Sequence, residues 1–335
     1  MNKKIQYGQF YTTNSTYIIG NLIDDLPKDL VVIEPFCGQG DLLIFENKYE
    51  IYDIDPKIKN CQKRDTLIDP PNYKGKLVIT NPPFLSKNKN KEKTIYDLYN
   101  VGDLYKASIK SILECEGGIL IVPLNFLCDE DINIRNLFFD NFNVIQMNIF
   151  EETVFNDTTY TICSFSFKRR IDKVDEDVIK INFFPSGKKT KFKLKRTTGW
   201  RIGTEFIELI SDQKNIGITR LVNGKKPNSN LYLRAIDTGT KDGMISLMMN
   251  ENHFYGKESD RTFATIILDR EYTYNQQTII CNEFNSILNK NREKYNSLFL
   301  TNYRNSTSSY PRKRISFDVA YKLISWIIEN ELHIT

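Results

Sequence analysis

The sequence has few of the residues that build metal sites and covalent cross-links. It contains only two histidines, and none of its six cysteines forms a C-x-x-C pair. This spacing favours neither a zinc site nor a disulfide framework, so we expect no metal and a reducing compartment. The longest apolar run, residues 118–127, is too short to cross a bilayer, and the amino terminus lacks the apolar segment of a signal peptide. These absences predict a cytoplasmic protein, in a host cytoplasm if the source is viral, with no membrane partner.

A large excess of charge of either sign is also missing. Lysines and arginines number 46 against 42 acidic residues, which gives a net charge of +4. Such a balance by itself indicates no partner, so local clusters of charge matter more. With 335 residues, of which 40% are apolar, the chain can bury a sizeable core in about two domains.

Hydrophobic patterning predicts an α/β fold in the first half of the chain. Short β-branched runs indicate strands, and longer amphipathic stretches indicate helices over residues 41–47 and 99–114. The expected strands are residues 30–34, 49–54, 76–80, 119–122 and 143–149. This alternation is typical of a mostly parallel sheet with right-handed crossovers. The pattern becomes irregular beyond residue 170, so we expect one domain over residues 1–170 and an α+β domain over residues 171–335.

The clearest chemical signal is the segment Asn81-Pro82-Pro83-Phe84, which follows an apolar strand. An exocyclic amine on a base is a poor nucleophile because its lone pair is delocalised into the ring. The Asn81 side-chain oxygen and the Pro82 carbonyl can accept its N–H groups and localise that lone pair, and consecutive prolines keep both acceptors rigid. Phe84 offers a ring on which the base can stack. The alternative interpretation is an ordinary turn after a strand.

A glycine turn after the first strand is the second signal. Glu34 leads into Phe36-Cys37-Gly38-Gln39-Gly40, where the glycines let the backbone approach a ligand. Asp53 ends the next strand, where other nucleotide-binding α/β folds carry an acid for ribose hydroxyls. The G-x-G-x-x-G spacing is not met, which disfavours a nicotinamide cofactor. Asp65 is placed to accept from an adenine amino group, although each residue alone also suits an ordinary connection.

In this order, the segments resemble the amino-group DNA methyltransferases whose cofactor motifs precede the catalytic motif and whose target recognition region comes last. The resemblance covers roughly residues 5–168. It implies a Rossmann-like sheet that binds S-adenosylmethionine, followed by a C-terminal α+β target recognition domain. Asn81-Pro82-Pro83-Phe84 matches the catalytic tetrapeptide of that family in the form that best fits methylation of adenine N6.

The resemblance also implies roles for individual residues. Thr12 matches the contact to the methionine carboxylate, Asp53 the acid that binds the ribose, and Asp65 the contact to the adenine amine. Phe155 matches the aromatic residue that stacks on the flipped base together with Phe84. The expected cofactor-binding residues are Tyr11, Thr12, Glu34, Phe36, Gly38, Gly40, Asp53, Ile54, Asp65 and Asn81.

Double-stranded DNA is the expected partner, with its target adenine flipped out of the helix. Two basic clusters are interpreted as phosphate contacts. They are Lys188, Lys189, Lys191, Lys193, Lys195 and Arg196, and, near the carboxyl terminus, Arg312, Lys313 and Arg314. The first cluster equally suits an edge strand that lysines protect against aggregation. The lysine-rich residues 86–93 are either a loop that orders on DNA or an inert surface loop.

Three functions are consistent with these features. The first is a site-specific DNA adenine methyltransferase of a restriction–modification or viral protection system, paired in function with a restriction endonuclease but not in a stable complex. Residues 100–105 and 149–152 are similar to enzymes that modify CATG sites. The second is a methyltransferase of RNA bases, because such enzymes share the catalytic segment. The third is a catalytically silent nucleic-acid-binding subunit with the same fold.

Overall fold

The computed structural model describes residues 12–155, 158, 160–257, 259–304 and 312–332. The chain forms two compact units, residues 1–126 with 131–200 and residues 127–130 with 201–335. Tyr11, one of the expected cofactor residues, lies outside the described residues. None of the helices within those ranges combines the length and the apolar character needed to cross a membrane.

A large sheet forms the centre of the first unit. Its strands are β1 (Val32–Glu34), β2 (Tyr49–Asp53), β3 (Gln62–Lys63), β4 (Leu77–Thr80), β5 (Gly117–Pro123), β6 (Phe142–Phe150), β7 (Ile162–Arg169), β8 (Glu176–Phe184) and β9 (Lys189–Lys195). Across the sheet they lie in the order β3-β2-β1-β4-β5-β7-β6-β8-β9. β7 is antiparallel to β5 and β6, and β9 is antiparallel to β8, whereas the other neighbours pair in parallel. The predicted α/β fold with a mostly parallel, Rossmann-like sheet is confirmed.

The order of the strands reverses between β1 and β4. From β1 the chain adds β2 and β3 on one side, and it then returns to the centre to add β4 and β5 on the other. Ligands of open α/β sheets bind beyond the carboxyl ends of the strands at such a point. Glu34 and Thr80, which end β1 and β4, therefore mark the expected position of a site.

Apolar side chains fill the central strands because both faces of a parallel sheet are covered. Val32, Ile33 and Val78 are fully buried. β5 approaches β4 so closely that a Cβ on Gly118 would lie 1.7 Å from the carbonyl oxygen of Val78. Only glycine can therefore occupy this position without a shift of the backbone.

Short helices accompany the strands of this unit. They are α1 (Ser15–Ile19), α2 (Thr94–Tyr99), α3 (Leu104–Ser111), α4 (Asn125–Cys128), whose last two residues belong to the second unit, and α5 (Asn133–Asn141). The helix predicted over residues 99–114 is present but shorter, since α3 covers only Leu104–Ser111. α2 ends at Tyr99 because Asn100 adopts a left-handed conformation with φ 49°, and α3 begins only after Asp103.

Residues 41–47 form turns and bends where a helix was predicted. The Tyr49 hydroxyl accepts from the backbone N–H of Phe45 at 3.1 Å and donates to the Leu42 carbonyl at 3.3 Å. A helix of this length is marginal in water, so these side-chain bonds to the backbone replace the helical ones.

The first unit continues to Trp200, beyond the boundary expected near residue 170. β8 pairs in parallel with β6, and β9 pairs with β8. Ile179, Ile181 and Leu194 on these two strands are fully buried. The higher charge that suggested a domain boundary therefore belongs to the exposed face of strands that extend the same sheet.

The second unit combines antiparallel strands with longer helices. Its strands are β10 (Thr219–Arg220), β11 (Leu231–Arg234), β12 (Ser246–Met249), β13 (Phe263–Ile267), β14 (Thr301–Arg304) and β15 (Arg312–Arg314), and its helices are α6 (Thr204–Ser211), α7 (Tyr274–Lys294) and α8 (Phe317–Asn330). In the described part of this unit, β10-β13-β11-β12 form an antiparallel sheet and β14 pairs with β15. α7 begins at a capping box between Thr273 and Gln276. The unit has the expected α+β character.

A buried ion pair joins three parts of the second unit. Asp237 is 0% exposed and accepts from the two terminal nitrogens of Arg292 at 3.2 and 2.8 Å. Its carboxylate also accepts from the backbone N–H groups of Ile245 and Lys313. These bonds hold α7 and β15 against the end of the sheet, and removal of either charge would leave the other buried without compensation.

Candidate active site

A cavity of about 230 Å³ lies in the first unit beside the carboxyl ends of β1, β2 and β4. Most of the expected cofactor residues line it, namely Thr12, Glu34, Phe36, Gly38, Asp53, Ile54, Asp65 and Asn81. Gly40 does not line it. The φ of Gly40 is 82°, and a Cβ there would lie 3.0 Å from Ile58 Cδ1, so this glycine serves the turn itself. The fold thus gathers residues that are far apart in the sequence at the switch point.

Asp53 holds the glycine turn in place. Its Oδ2 accepts from the backbone N–H of Gly38 at 2.8 Å, and its Oδ1 accepts from that of Asp55 at 2.8 Å. The φ of Gly38 is 54°, in the left-handed region that favours glycine. Asp53 is 3% exposed and also lines the cavity. Since each carboxylate oxygen accepts more than one hydrogen bond, Asp53 can support the turn and accept from a ribose as well.

Glu34 and Thr80 are hydrogen-bonded across the switch point. Thr80 Oγ1 donates to Glu34 Oε1 at 2.6 Å, and the backbone N–H of Phe36 donates to the same oxygen at 3.0 Å. The other oxygen, Oε2, is buried with no hydrogen-bond partner among the described residues. Burial raises the pKa of the Glu34 carboxyl from 4.5 to about 8. A positively charged ligand group beside Oε2 would compensate the ionised form.

Carboxylates dominate the polar part of the wall. They belong to Glu34, Asp41, Asp53, Asp65 and Glu92. Arg64 also lines the cavity, but its guanidinium donates to the Asp69 carboxylate at 2.9 Å. The raised pKa of Glu34 keeps its carboxyl protonated at neutral pH, but the other carboxylates still give the wall an excess of negative charge, which opposes an anionic ligand such as a pyrophosphate and attracts a ligand with positive groups.

Another part of the wall is apolar. Leu67, Tyr96 and Leu104 belong to a buried cluster against which Phe36 and Ile95 pack, and all five residues line the cavity. Apolar and aromatic walls with a few polar groups are typical of small-molecule sites. This part of the cavity suits a flat aromatic ring.

Residues 86–93 supply part of the same wall. Asn90 and Glu92 line the cavity. Asn90 Nδ2 donates to the Tyr96 hydroxyl at 3.2 Å, and that hydroxyl donates to the Leu85 carbonyl at 2.9 Å. Sequence reasoning assigned neither Asn90 nor Glu92 to the cofactor site, because no motif or spacing marks them.

The segment Asn81-Pro82-Pro83-Phe84 directly follows β4. Asn81 and Pro83 line the cavity, whereas Pro82 is buried and is not part of the wall. The amide nitrogen of Asn81 donates to the hydroxyl oxygen of Thr12 at 3.0 Å. The proposed catalytic amide is therefore part of the acid-lined cavity.

The two expected base-stacking rings are both buried. Phe84 is 4% exposed and meets Tyr105 edge to face, with ring centroids 6.5 Å apart. Phe155 is 3% exposed. A base could stack on either ring only after these side chains became exposed, so their stacking role stays a prediction.

The first basic cluster lies on β9, the outermost strand of the sheet. Lys189, Lys191 and Lys193 are exposed on one face of β9, where they alternate with less exposed residues. Lys193 and Arg196 are each paired with a carboxylate. The exposed lysines are placed to contact a polyanion. Lys193 and Arg196 could do so only after their ion pairs opened.

The second basic cluster forms β15 in the second unit. Lys313 is only 5% exposed, and Arg312 Nε donates to the Asp237 carbonyl at 2.8 Å. In this conformation Lys313 cannot reach a phosphate, because its side chain is buried. Arg314 is partly exposed.

Across the described ranges, no group of three or more His, Cys, Asp or Glu residues is placed to hold a metal ion. Cys37 lines the cavity as a free thiol, and burial raises its pKa. It is therefore a weak nucleophile at neutral pH.

Comparison with known proteins shows distant structural likenesses. No family model and no curated protein matches the sequence. Among solved structures, the chain is similar to a modification subunit of a putative type I restriction enzyme from Vibrio vulnificus YJ016, with 15% identity and a TM-score of 0.43 over 72% of this chain and 59% of that chain. It is also similar to a putative class I S-adenosylmethionine-dependent methyltransferase from Listeria monocytogenes, with 14% identity and a TM-score of 0.40 over 50% of this chain and 62% of that chain.

A third likeness covers more of the chain. The type IIL restriction-modification enzyme MmeI, determined in complex with DNA, shares 11% identity and a TM-score of 0.45 over 97% of this chain and 73% of that chain. The chain spans 59% and 62% of the length of the first two structures. Because all three likenesses are distant, the function has to be argued from the residues of this chain.

Proposed function

We propose that the chain is an S-adenosylmethionine-dependent methyltransferase that acts on an exocyclic amino nitrogen of a nucleic-acid base, with adenine N6 in duplex DNA as its substrate. One observation carries the proposal: the acid-lined cavity at the switch point has Asn81 in its wall. A site for a positively charged cofactor and an acceptor for an amine are thus adjacent.

The residues of the cavity fit this cofactor. S-adenosylmethionine carries a sulfonium and an ammonium group, and a positive group beside the buried Oε2 of Glu34, which has no hydrogen-bond partner among the described residues, would favour the ionised carboxylate. Asp53 offers acceptors for ribose hydroxyls, and Asp65 offers one for the adenine amine. The apolar wall around Tyr96 suits the purine ring. A dinucleotide would instead bring its negative pyrophosphate into an acidic site.

The residues of the chain orient the target amine and provide the electrostatic environment for methyl transfer. The bound cofactor supplies an electrophilic methyl group. The Asn81 side-chain oxygen accepts from the target amine, which localises its lone pair on the nitrogen, and the Pro82 carbonyl would be the second acceptor once that buried residue becomes accessible. The consecutive prolines hold these acceptors in a fixed geometry, so little reorganisation is needed during the reaction.

The target base has to leave the duplex before it can reach Asn81, at a cost of about a few kcal/mol. Phe84 and Phe155 would stack on the flipped base once they are exposed. The lysines of β9, with Arg312 and Arg314, would neutralise phosphates. The biological role would be modification of DNA in a restriction–modification or viral protection system, alongside a restriction endonuclease, with CATG as the candidate recognition sequence.

Expression in a methylation-deficient host tests this proposal. Single-molecule sequencing of the host DNA should reveal N6-methyladenine in one sequence context. Asn81→Ala should abolish the signal while it keeps the affinity for S-adenosylmethionine measured by calorimetry. Asn72→Ala, at an exposed asparagine outside the cavity, is the matched control and should methylate normally. Near-normal methylation by Asn81→Ala would refute the role of Asn81.

A separate experiment tests whether the substrate is DNA or RNA. Purified protein should incorporate labelled methyl groups from the cofactor into duplex DNA and not into structured RNA. Incorporation into RNA alone would replace the DNA substrate with an RNA base while leaving the chemistry of the cavity intact.

A catalytically silent nucleic-acid-binding subunit is the second candidate, and the burial of Phe84 and Phe155 is the observation that favours it. Such a subunit would bind duplex DNA but neither retain the cofactor nor transfer a methyl group. Calorimetric binding of S-adenosylmethionine to the native chain, with transfer that is lost in Asn81→Ala, would exclude it.

A further inference from the structure

The side chain of Asn81 has two chemically different ends. Its oxygen accepts hydrogen bonds, whereas its nitrogen donates them. Only the oxygen end can serve the N–H groups of a target amine. A half-turn of the amide exchanges the ends with almost no change in shape, so the direction that faces the substrate has to be set by a neighbouring group.

Thr12 is that neighbour. Its Oγ1 accepts from Asn81 Nδ2 at 3.0 Å. Thr12 is 3% exposed, so bulk water cannot replace the contact. No sequence pattern indicates this bond, because Thr12 and Asn81 are distant in the chain and both were expected to contact ligands.

A hydroxyl both donates and accepts, so its surroundings decide which end of the amide it holds. The Asp41 carboxylate accepts from the backbone N–H of Thr12, and the wall that Thr12, Asp41 and Asn81 share is acidic. The hydroxyl hydrogen is drawn toward this negative charge, which leaves an oxygen lone pair for Asn81 Nδ2.

We propose that Thr12 is a positioning residue whose hydroxyl holds the nitrogen end of the Asn81 amide and thereby turns the oxygen end toward the target amine. This role rests on the proposed methyl transfer and comes in addition to the cofactor contact expected from the sequence. It acts through Asn81 and needs no contact between Thr12 and the substrate.

Two substitutions separate the hydroxyl from the rest of the side chain. Thr12→Val keeps the shape and removes the hydroxyl, and Thr12→Ser keeps the hydroxyl. Loss of one buried hydrogen bond should lower kcat of Thr12→Val about tenfold, with a smaller change in the dissociation constant of S-adenosylmethionine measured by calorimetry. Thr12→Ser should restore most of kcat. A native kcat in Thr12→Val, or a loss of kcat no larger than the loss of cofactor affinity, would overturn the positioning role.

A double-mutant cycle with Asn81→Asp distinguishes orientation from general support of the site. A carboxylate has two equivalent accepting oxygens, so its direction no longer matters. Thr12→Val should therefore reduce kcat less in the Asn81→Asp background than in the native one. Equal fold losses in both backgrounds would mean that Thr12 supports the site in some other way.

Hydrogen exchange of the Asn81 side-chain amide tests the contact without cofactor or substrate. In full-length protein labelled with ¹⁵N-asparagine, the side-chain signal that Asn81→Asp removes belongs to Asn81. Its exchange should be slow in the native protein and in Thr12→Ser, and about tenfold faster in Thr12→Val. Equal exchange rates in all three would overturn the contact. A protected amide in a chain that methylates neither DNA nor RNA would instead overturn the proposed function, and the positioning role with it.

Discussion

The charge of Glu34 provides a quantitative test of the acid-lined cavity. Glu34→Gln keeps an acceptor for Thr80 and Phe36 but removes the titrating proton. In the folded chain, burial raises the pKa of Glu34 from 4.5 to about 8. The folded state therefore binds this proton more tightly than the unfolded state does. The free energy of unfolding must fall as pH rises between these two pKa values.

The size of the effect follows from the difference between the folded and unfolded pKa values. A tenfold difference in proton affinity between the two states corresponds to about 1.4 kcal/mol. Relative to its value at low pH, the free energy of unfolding falls by about 1 kcal/mol at about pH 5, where Glu34 has begun to ionise in the unfolded chain. At about pH 7.5 the fall reaches about 4 kcal/mol. Glutamine does not titrate. The difference in free energy of unfolding between Glu34→Gln and the native chain should therefore shift by about 3 kcal/mol in favour of the variant from about pH 5 to about pH 7.5. Any constant cost of burying the new amide nitrogen cancels in this difference.

Urea unfolding followed by tryptophan fluorescence measures the difference. The sequence has two tryptophans, of which Trp200 lies in the first unit and Trp326 in α8 of the second. In a Trp326→Phe background the signal comes from Trp200, which is fully buried, and it reports on the unit that contains the cavity. The same pH dependence with and without Glu34→Gln would mean that Glu34 has an ordinary pKa, and the reasoning would be refuted.

Further predictions follow from the contacts of single residues. Asp53→Asn replaces one of two carboxylate oxygens, of which one holds the glycine turn through the N–H of Gly38 and the other accepts from Asp55, so the dissociation constant of S-adenosylmethionine should rise about tenfold in calorimetry; an unchanged constant would remove Asp53 from the proposed cofactor site. Gly118→Ala would place a Cβ 1.7 Å from a carbonyl oxygen, whereas the Cβ of Gly102→Ala would meet no atom of the described residues within 4 Å. Gly118→Ala should therefore lose at least about 3 kcal/mol of its free energy of unfolding, or fail to fold, whereas Gly102→Ala should keep a near-native Tm in thermal unfolding. Similar Tm values for the two variants would contradict the close approach of β4 and β5. Lys189→Glu with Lys191→Glu should reduce the slope of log Kd against log salt for duplex DNA by about 2, and an unchanged slope would assign these lysines to protection of the edge strand.

The residues that line the cavity were largely predictable because they occur in short local motifs. Glu34 and Asp53 end strands, and strand ends can be located from apolar runs. Parallel strands in such a fold bring their carboxyl ends to one edge, so residues that end separate strands meet there. This is why Glu34, Asp53 and Asn81 could be assigned to one site before their contacts were known.

Other features depend on packing and could not be predicted in this way. Phe84 and Phe155 were expected to face a base, but whether a ring faces a cavity or the core depends on neighbours such as Tyr105, which lie elsewhere in the chain. Lys313 was expected on the surface, yet it is buried. The rise in charge beyond residue 170 was interpreted as a new domain because alternating lysines on the exposed face of a strand look the same in either case.

The amino-acid sequence by itself determined the α/β alternation, the glycine turn, the acids at the strand ends and the amide at the end of β4, because each depends on a few neighbouring residues. The tertiary structure alone decided which oxygen of Glu34 lacks a hydrogen-bond partner within the described ranges, that Thr12 holds the Asn81 amide, and that β8 and β9 extend the first sheet. These outcomes depend on contacts between segments that are distant in the chain, and burial sets their energies. No local pattern carries that information.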